Sequence, residues 1–108
     1  MPSSVAYILD LTSGTLVWSK GLASLYGSEA SESASSLEWW IDHIHPQDTM
    51  RLNLEMDKLL NPTATEWTID YRFRRADNTY VLVRDHAAVE RNLAGTATRL
   101  RGMLTVLP

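Results

Sequence analysis

The sequence predicts an α+β domain in which one antiparallel sheet is covered on one face by helices. Three observations lead to this fold class. Two short stretches of β-forming residues open the chain, and three longer ones close it. Between them lie two segments whose apolar residues recur with the helical period. The chain has 108 residues, enough for one hydrophobic core, so helices and sheet must bury their apolar faces against each other.

A hairpin of two short strands opens the predicted fold. Residues 5–11 and 15–19 are rich in β-forming side chains, and the residues between them, 12–14, favour a turn. A brief helical pattern follows over residues 20–26 and ends at a glycine. The polar stretch 28–36 is then either a loop with a short helix or a mobile flap.

Two amphipathic helices are predicted in the middle of the chain. The first covers residues 37–44, and its apolar face comprises Leu37, Trp40, Ile41 and Ile44. The pair His45-Pro46 ends it and begins the second helix, because proline is favoured at the first helical position. Asp48 then lies near the positive end of the helix dipole. The second helix stops at residues 61–62.

The apolar spacing of the second helix predicts its orientation on the sheet. Its stripe comprises Leu52, Met56, Leu59 and Leu60. The residues expected to face the sheet are Leu52, Met56 and Leu59, and those expected to face water are Arg51, Glu55 and Lys58. If Leu59 is fully buried, its replacement by alanine is expected to cost about 2–5 kcal/mol.

Three strands are predicted in the second half of the chain. Residues 67–74 alternate apolar and polar side chains, which is typical of a half-buried strand. Turns at residues 76–79 and 92–95 separate it from a long strand over residues 80–90 and a last strand over residues 99–107. One side of the long strand carries Val81, Val83, Ala87 and Val89, and one side of the last carries Leu100, Gly102, Leu104 and Val106.

Composition and charge exclude several function classes. Ten basic residues against thirteen acidic ones give a net charge of −3, whereas a generic nucleic-acid binder is basic. The absence of cysteine excludes disulfides, thiolate metal sites, cysteine nucleophiles and photochemistry through a cysteinyl–flavin bond. No apolar run reaches the roughly 18 residues of a membrane span, and no secretory signal is visible. We therefore expect a cytoplasmic domain that binds neither membrane nor nucleic acid.

Several short motifs, taken in order, resemble a PAS domain that carries its PAC half. Each motif alone is common, but their order and spacing fit one domain from about residue 5 to about residue 105. The motifs are Trp18-Ser19, Leu25-Tyr26-Gly27, Trp40-Ile41, Ile44-His45-Pro46-Gln47-Asp48, Tyr71-Arg72-Phe73-Arg74-Arg75-Ala76-Asp77-Asn78, Tyr80-Val81-Leu82-Val83-Arg84-Asp85, Arg99 and Gly102. The sequence departs from the family at Gln47, Asn78 and Leu82, and it ends in Val106-Leu107-Pro108 where the family has an Asp-Ile-Thr-like motif.

This resemblance implies a five-stranded antiparallel sheet in the order 2-1-5-4-3, with helices packed on one face. It also implies a sensory and regulatory module that perceives a signal, forms a homodimer and modulates a linked effector. The effector would be a histidine kinase of a two-component system or a diguanylate cyclase. Residues 1–108 would then be one domain of a larger signalling protein. The alternatives are a cofactor-bound sensor with haem, flavin or a metabolite, and a small stand-alone α+β enzyme or binding protein.

An aromatic group between the helices and the sheet is the candidate ligand pocket. The candidate residues are Tyr7, Trp40, Ile44, Trp67, Ile69, Tyr71 and Phe73. Large aromatic side chains also simply fill a small core, so both interpretations stay open. Because the only polar groups expected there are tyrosine hydroxyls and indole N–H groups, the site favours small, uncharged and largely apolar ligands.

The three histidines are the candidate haem or metal ligands. His45 is better placed to cap a helix or turn, His43 is predicted to face solvent, and His86 lies opposite the apolar side of its strand. These placements argue against a metal, and no cofactor is required by the sequence. No catalytic residue is predicted either, because no carboxylate has a partner histidine or nucleophilic serine at a motif spacing.

Charged residues on the predicted strands are expected to form cross-strand ion pairs on a solvated sheet face. The basic ones are Arg72, Arg74, Arg75 and Arg84, and the acidic ones are Glu66, Asp70 and Asp85. Such pairs explain the basic residues without a nucleic acid, since the nearby aromatic residues point to the other face and offer no stacking platform.

The outer sheet face is the candidate dimer interface. The side chains expected to point outward are Ile8, Leu82, Met103 and Leu107. In the strand order of the family they lie on contiguous strands and should form one apolar patch. We expect a second copy, or a flanking helix, to cover this patch, because soluble domains rarely leave one exposed.

Overall fold

Five antiparallel strands form one sheet in the computed structural model, which describes residues 4–29 and 32–108 and, for residues 32 and 33, the backbone alone. The strands are β1 (Ser4–Asp10), β2 (Leu16–Trp18), β3 (Glu66–Arg74), β4 (Tyr80–Arg91) and β5 (Ala97–Val106). Their spatial order is β2-β1-β5-β4-β3, which confirms the predicted α+β fold and strand order. The helices are α1 (Leu22–Tyr26), α2 (Leu37–Asp42) and α3 (Pro46–Asp57), with 3₁₀ turns at Glu32–Ser35 and Lys58–Leu60.

The polar stretch 28–36 contains a short helix, one of the two structures that its composition allows. A 3₁₀ turn covers Glu32–Ser35, and Ser36 then caps α2 by accepting a hydrogen bond from the backbone N–H of Trp39 at 3.1 Å. Ala30 and Ser31 lie outside the described residues. The stretch therefore leads directly into the helix that covers the sheet.

The start of α3 confirms the predicted cap. Pro46 occupies the first turn, and the Nδ1 atom of His45 accepts a hydrogen bond from the backbone N–H of Gln47 at 3.0 Å. Such a bond satisfies one of the N–H groups that a helix leaves free at its N-terminus. His45 is thereby committed to a structural role.

The apolar stripe of α3 faces the sheet except at its last residue. Leu52 and Leu59 are buried, and Met56 packs against the core. The opposite side carries Arg51, Glu55 and Lys58, of which Glu55 is half-buried. The assignment of Leu60 to the stripe was wrong, since this side chain is 83% exposed. The chain tightens into a 3₁₀ turn over Lys58–Leu60, which changes the period and turns Leu60 outward.

Replacing Leu59 with alanine should lower the free energy of unfolding by about 2 kcal/mol, at the lower end of core truncations. Leu59 is buried but borders a surface groove, so neighbouring side chains can partly close the space left behind. The matched control is Leu60→Ala, which should stay within about 0.5 kcal/mol of wild type. Urea unfolding measures both, and equal losses in the two variants would contradict this orientation of the helix.

The segment between α2 and α3 covers the outer edge of β3. The backbone N–H of His45 donates to the carbonyl of Arg72 at 2.9 Å, and that of Arg74 donates to the carbonyl of His43 at 2.7 Å. An exposed strand edge would otherwise leave these groups free to pair with another chain. The pairing also fixes α2 against the inner sheet face, where its tryptophan side chains enter the core.

Candidate functional site in the core

The predicted pocket residues are all buried in one core, but only some of them converge. The Trp40 ring lies 6.0 Å from the Tyr71 ring and 6.4 Å from the Trp67 ring, measured between centroids. Phe73 lies apart from these rings, with its centroid 6.0 Å from that of Trp39. The predicted pocket residues therefore divide into a convergent group around Trp40, Trp67 and Tyr71 and other residues that complete the core around this group.

A buried carboxyl group lies at the centre of the convergent group. Asp85 has no exposed surface, and it accepts hydrogen bonds from the hydroxyls of Tyr7 at 2.7 Å and Tyr71 at 3.0 Å. The Tyr71 oxygen accepts in turn from the indole N–H of Trp40 at 2.8 Å. These four residues and Trp67 form what we call the Asp85 cluster. The cluster joins strands β1, β3 and β4 to helix α2.

The sequence-based placement of Asp85 on the solvated face was wrong. Its side chain points inward between Val83 and Ala87, which are both fully buried. Side chains alternate along a strand, so residue 85 shares a face with residues 81, 83, 87 and 89. The alternation along β4 already predicts an inward position for Asp85, but the prediction gave more weight to the charge of its side chain.

Burial is the main influence on the protonation of this carboxyl group. Removal from water raises the pKa of Asp85 to about 7, and the hydrogen bonds from Tyr7 and Tyr71 oppose that rise. Burial and the nearby carboxyl group also raise the pKa of both tyrosines well above the usual value, so the phenols stay protonated. Asp85 is therefore the group of the cluster that changes charge near neutral pH.

Trp67 carries an unused hydrogen-bond donor into the cluster. Its indole N–H is buried and has no hydrogen-bond partner among the described residues. It lies close enough to the Tyr7 hydroxyl to lower the pKa of that group, although the two do not form a hydrogen bond of acceptable geometry. Buried polar groups of native proteins are nearly always paired, so this donor requires an explanation.

A glycine in mid-strand makes room for Tyr7. Trp18, Tyr7, Gly102, Ala87 and Trp67 form one row across all five strands. A Cβ atom at Gly102 would lie 2.5 Å from Cζ of Tyr7, so the ring rests directly on the glycine. From this seat the phenol reaches Asp85 on β4. The absence of a side chain at position 102 is thus what allows the hydrogen bond between β1 and β4.

Side chains fill the space at the centre of the described core. The void that borders Tyr7, Leu9, Leu16, Trp18 and Trp40 is too narrow to admit a water molecule. A ligand of even a few atoms would have to displace one of these side chains. The site in this conformation is a packed polar cluster rather than an open pocket.

The comparison with known families identifies the fold. A family model described as the PAS fold matches residues 15–104. The chain belongs to the PAS family. A comparison with curated proteins gives no match. The motif order that suggested a PAS domain and the observed strand order agree with this assignment.

Solved structures similar to this PAS domain include sensor domains of bacterial signalling proteins. One is the N-terminal domain of a diguanylate cyclase with PAS/PAC sensor from Marinobacter aquaeolei, with a TM-score of 0.80, 22% identity and coverage of 94% of this chain and 92% of that one. Another is a sensory box histidine kinase/response regulator from Burkholderia thailandensis, with a TM-score of 0.80, 20% identity and coverage of 97% and 77%. The PAS-B domain of Drosophila melanogaster Cycle, with ethylene glycol bound, has a TM-score of 0.76, 14% identity and coverage of 95% and 99%. At these identities the likeness establishes the fold.

The histidines of this PAS domain lie apart from the Asp85 cluster. The prediction that His43 faces solvent was wrong, since it is buried and stacks on Trp39 with ring centroids 4.0 Å apart. Its Nδ1 atom lies 2.7 Å from the carbonyl oxygen of Trp39, and burial lowers its pKa. His86 is exposed and bonds to Thr68. Within residues 4–29 and 32–108, no three metal-ligating side chains converge.

Of the four arginines predicted to form cross-strand pairs, Arg84 does so among the described residues, whereas Arg75 donates to the carbonyl oxygen of Leu25 at 3.1 Å. Arg84 binds both carboxylate oxygens of Asp70, at 2.8 and 3.0 Å, and Glu90 pairs with Arg99 and Arg101 on β5. Arg72 differs, because it pairs with Asp48 of α3 at 2.9 Å. None of the helices in the described part of the chain is long and apolar enough to span a membrane.

The outward-facing apolar residues lie in two groups rather than one patch. Leu82 and Leu107 are neighbours, joined by a backbone hydrogen bond of 2.9 Å. The pair formed by Arg84 and Thr105 separates them from Met103, so the prediction of one continuous apolar patch was wrong. Met103 belongs instead to a groove of about 620 Å³ with Ala6, Ile8, Val17 and Ala88 on its walls. The backbones of Tyr7 and Gly102 border the same groove from behind.

Proposed function

We propose that this PAS domain is the sensory module of a longer signalling protein, in which it modulates a linked histidine kinase or diguanylate cyclase. The observation that carries the proposal is the position of the Asp85 cluster. Its Tyr7 lies on the inner face of the same strand pair that borders the outer groove. Only the backbone of the sheet therefore separates the Asp85 cluster from the outer groove, so a movement of Tyr7 can alter that surface. The similar cyclase and kinase sensor domains favour this class of effector.

Effector activity of the full-length protein tests the proposal. We expect Asp85→Asn to change the kinase or cyclase activity severalfold, because it removes the charge that the core can gain or lose. The matched control is Asp57→Asn, an exposed aspartate at the end of α3, which should leave the activity unchanged. Equal activity in wild type and both variants, with the domain folded in each, would contradict a sensory role for the cluster.

Any small ligand of the module would enter the aromatic region bounded by the seven predicted pocket residues. It would have to displace a side chain such as Tyr7, because the adjoining void has no room for water. A haem or flavin in the purified protein would give its own absorption band. A spectrum with only the tryptophan and tyrosine bands would exclude these two cofactors.

Dimerisation through the outer groove is part of the same proposal, as is a cytoplasmic location. Met103 is 46% exposed and Val17 is 58% exposed, and large apolar side chains gain from being covered. We expect Met103→Glu to convert a dimer into a monomer in light scattering, with unchanged stability. The control is Leu93→Glu in the exposed β4–β5 turn, which should remain dimeric. A monomeric wild type at high concentration would contradict the interface.

A further inference from the structure

The hydrogen bonds of the Asp85 cluster can be counted for each charge state of the carboxyl group. With Asp85 ionised, the cluster has four donors: the hydroxyls of Tyr7 and Tyr71 and the N–H groups of Trp40 and Trp67. It also has four acceptor oxygens, two on Asp85 and one on each tyrosine. Three of the four pairs are in place. The fourth would join the Trp67 N–H to the Tyr7 oxygen, and it is the pair that the structure leaves open.

A proton on Asp85 upsets this balance. The carboxyl group then becomes a donor, so five donors face the same oxygens, one of which now carries the proton. The Tyr71 oxygen already accepts from Trp40, so the new O–H donates to the Tyr7 oxygen, the atom that the Trp67 N–H needs. The Tyr7 hydroxyl can then no longer donate to the carboxyl oxygen that donates to it, so its own hydrogen turns toward the side of Trp67. The unpaired Trp67 donor of this structure fits the protonated state.

We propose that the ligand read by this cluster is the proton, and that a hydrogen bond from Trp67 to Tyr7 forms when Asp85 loses it and opens when Asp85 regains it. This inference rests on the proposed sensory function and names its signal. A proton needs no volume, so it suits a site whose adjoining void cannot hold water.

The surroundings of Asp85 favour titration by this one group. The titratable side chains that face it are Tyr7 from β1 and Tyr71 from β3, and both remain protonated phenols at neutral pH. Helix α2 contributes Trp40 through Tyr71, and β5 places Leu104 beside Asp85. No charged side chain of the described residues contributes to its raised pKa. The three histidines are occupied elsewhere.

The change would reach the outer surface through Tyr7. When the Trp67 bond forms, the Tyr7 hydroxyl group is held by Asp85 of β4 and also by Trp67 of β3. Because the Tyr7 ring rests on Gly102, its displacement acts on the β1–β5 pair behind the groove. Proton release would thus tighten the link between β3 and β1 across the sheet.

The indole N–H resonance of Trp67 in a ¹H–¹⁵N spectrum tests the proposal directly. We expect it to move downfield as the pH rises, with a midpoint near 7, because a hydrogen-bonded N–H is deshielded. The resonance of Trp39, which stacks on His43, serves as the internal reference for histidine titration. Asp57→Asn should leave the Trp67 curve unchanged, whereas Asp85→Asn should abolish it.

Tyr7→Phe keeps the test decisive if Asp85→Asn fails to fold. It removes the acceptor, so the Trp67 resonance should stop moving with pH. It also removes a donor to the ionised carboxyl group, so the midpoint followed at the Trp40 resonance should shift to higher pH. A Trp67 resonance that is constant with pH in wild type, or that titrates unchanged in Tyr7→Phe, would overturn the proposal.

The failure of this inference and that of the proposed function are distinguishable. If Trp67 titrates as expected but the effector activity of the full-length protein is the same for wild type and Asp85→Asn, the proton site stands and the sensory role falls. If Trp67 does not titrate and native mass spectrometry finds a bound small molecule, the sensory role stands and the proton is replaced by that ligand.

Discussion

Raising the pH from about 3 to about 8 should weaken the wild-type domain by about 4 kcal/mol through Asp85 alone. Burial raises the pKa of Asp85 from 3.8 to about 7 in the folded protein. Well below its unfolded pKa, at about pH 3 and lower, the Asp85 carboxyl group is protonated in both states and does not affect the stability. Between these values the unfolded chain releases the proton while the folded protein keeps it, so stability falls as the pH rises. Above the folded pKa the loss is complete.

Urea unfolding of wild type and Asp85→Asn over this pH range measures the effect. The unfolding free energy of wild type minus that of the variant should fall by about 4 kcal/mol, since asparagine cannot ionise. The subtraction removes the contributions of all other groups that titrate alike in both proteins. Asp57→Asn should show no such trend, because this aspartate is exposed. A difference that stays flat with pH would contradict the buried, protonated state of Asp85.

Replacing Asp48 with alanine should destabilise the domain by about 3 kcal/mol. The buried Asp48 carboxylate in the first turn of α3 accepts three hydrogen bonds from Arg72: from the backbone N–H at 2.8 Å, from Nε at 3.0 Å and from Nη2 at 2.9 Å. Alanine would leave the backbone donor unpaired and the guanidinium without its acceptor. The Arg72 side chain is 39% exposed, so water replaces part of the lost interaction.

Thermal or urea unfolding checks this prediction, with Glu55→Ala as the control from the same helix. Glu55 pairs with the exposed Lys58 at 2.8 Å, and loss of such a surface pair should cost less than about 0.5 kcal/mol. The Arg72 hydrogen bonds hold the pKa of Asp48 far below its ordinary value. Its stabilisation is therefore present above about pH 4 and is lost as the pH falls, opposite in sign to that of Asp85. Equal stability of wild type and Asp48→Ala would show that α3 does not depend on this anchor.

The elements of this fold were predictable because their signals are local. Alternation along β3 placed Trp67, Ile69, Tyr71 and Phe73 on the inner face, and the helical period of α3 did the same for Leu52. Leu60 escaped this reasoning because the helix gives way to a 3₁₀ turn, which the apolar pattern does not show. Local periodicity therefore identifies faces as long as the backbone keeps one geometry.

The aromatic residues around the candidate site were predictable from the sequence, but the buried carboxyl group between them was not. The aromatic residues were found because large apolar side chains enter a core whatever their partners are. Asp85 was missed because burying a carboxyl group is costly unless donors surround it, and those donors come from β1 and β3, far away in sequence. His43 was missed for the same reason, since the rings of Tyr26 and Phe73, both distant in sequence, pack against it together with Trp39. Such partners become visible only when the strands are assembled.

The contact between Tyr7 and Gly102 makes these two positions dependent on each other in any redesign or divergence of the chain. Their side chains share one fixed volume, because even a methyl group at position 102 would overlap the phenol ring. A side chain introduced at position 102 alone would displace the Tyr7 ring and remove a hydrogen-bond donor from Asp85. A smaller residue introduced first at position 7 would leave space for that side chain. Acceptable substitutions must therefore arise in a set order, with the change at position 7 preceding the change at position 102.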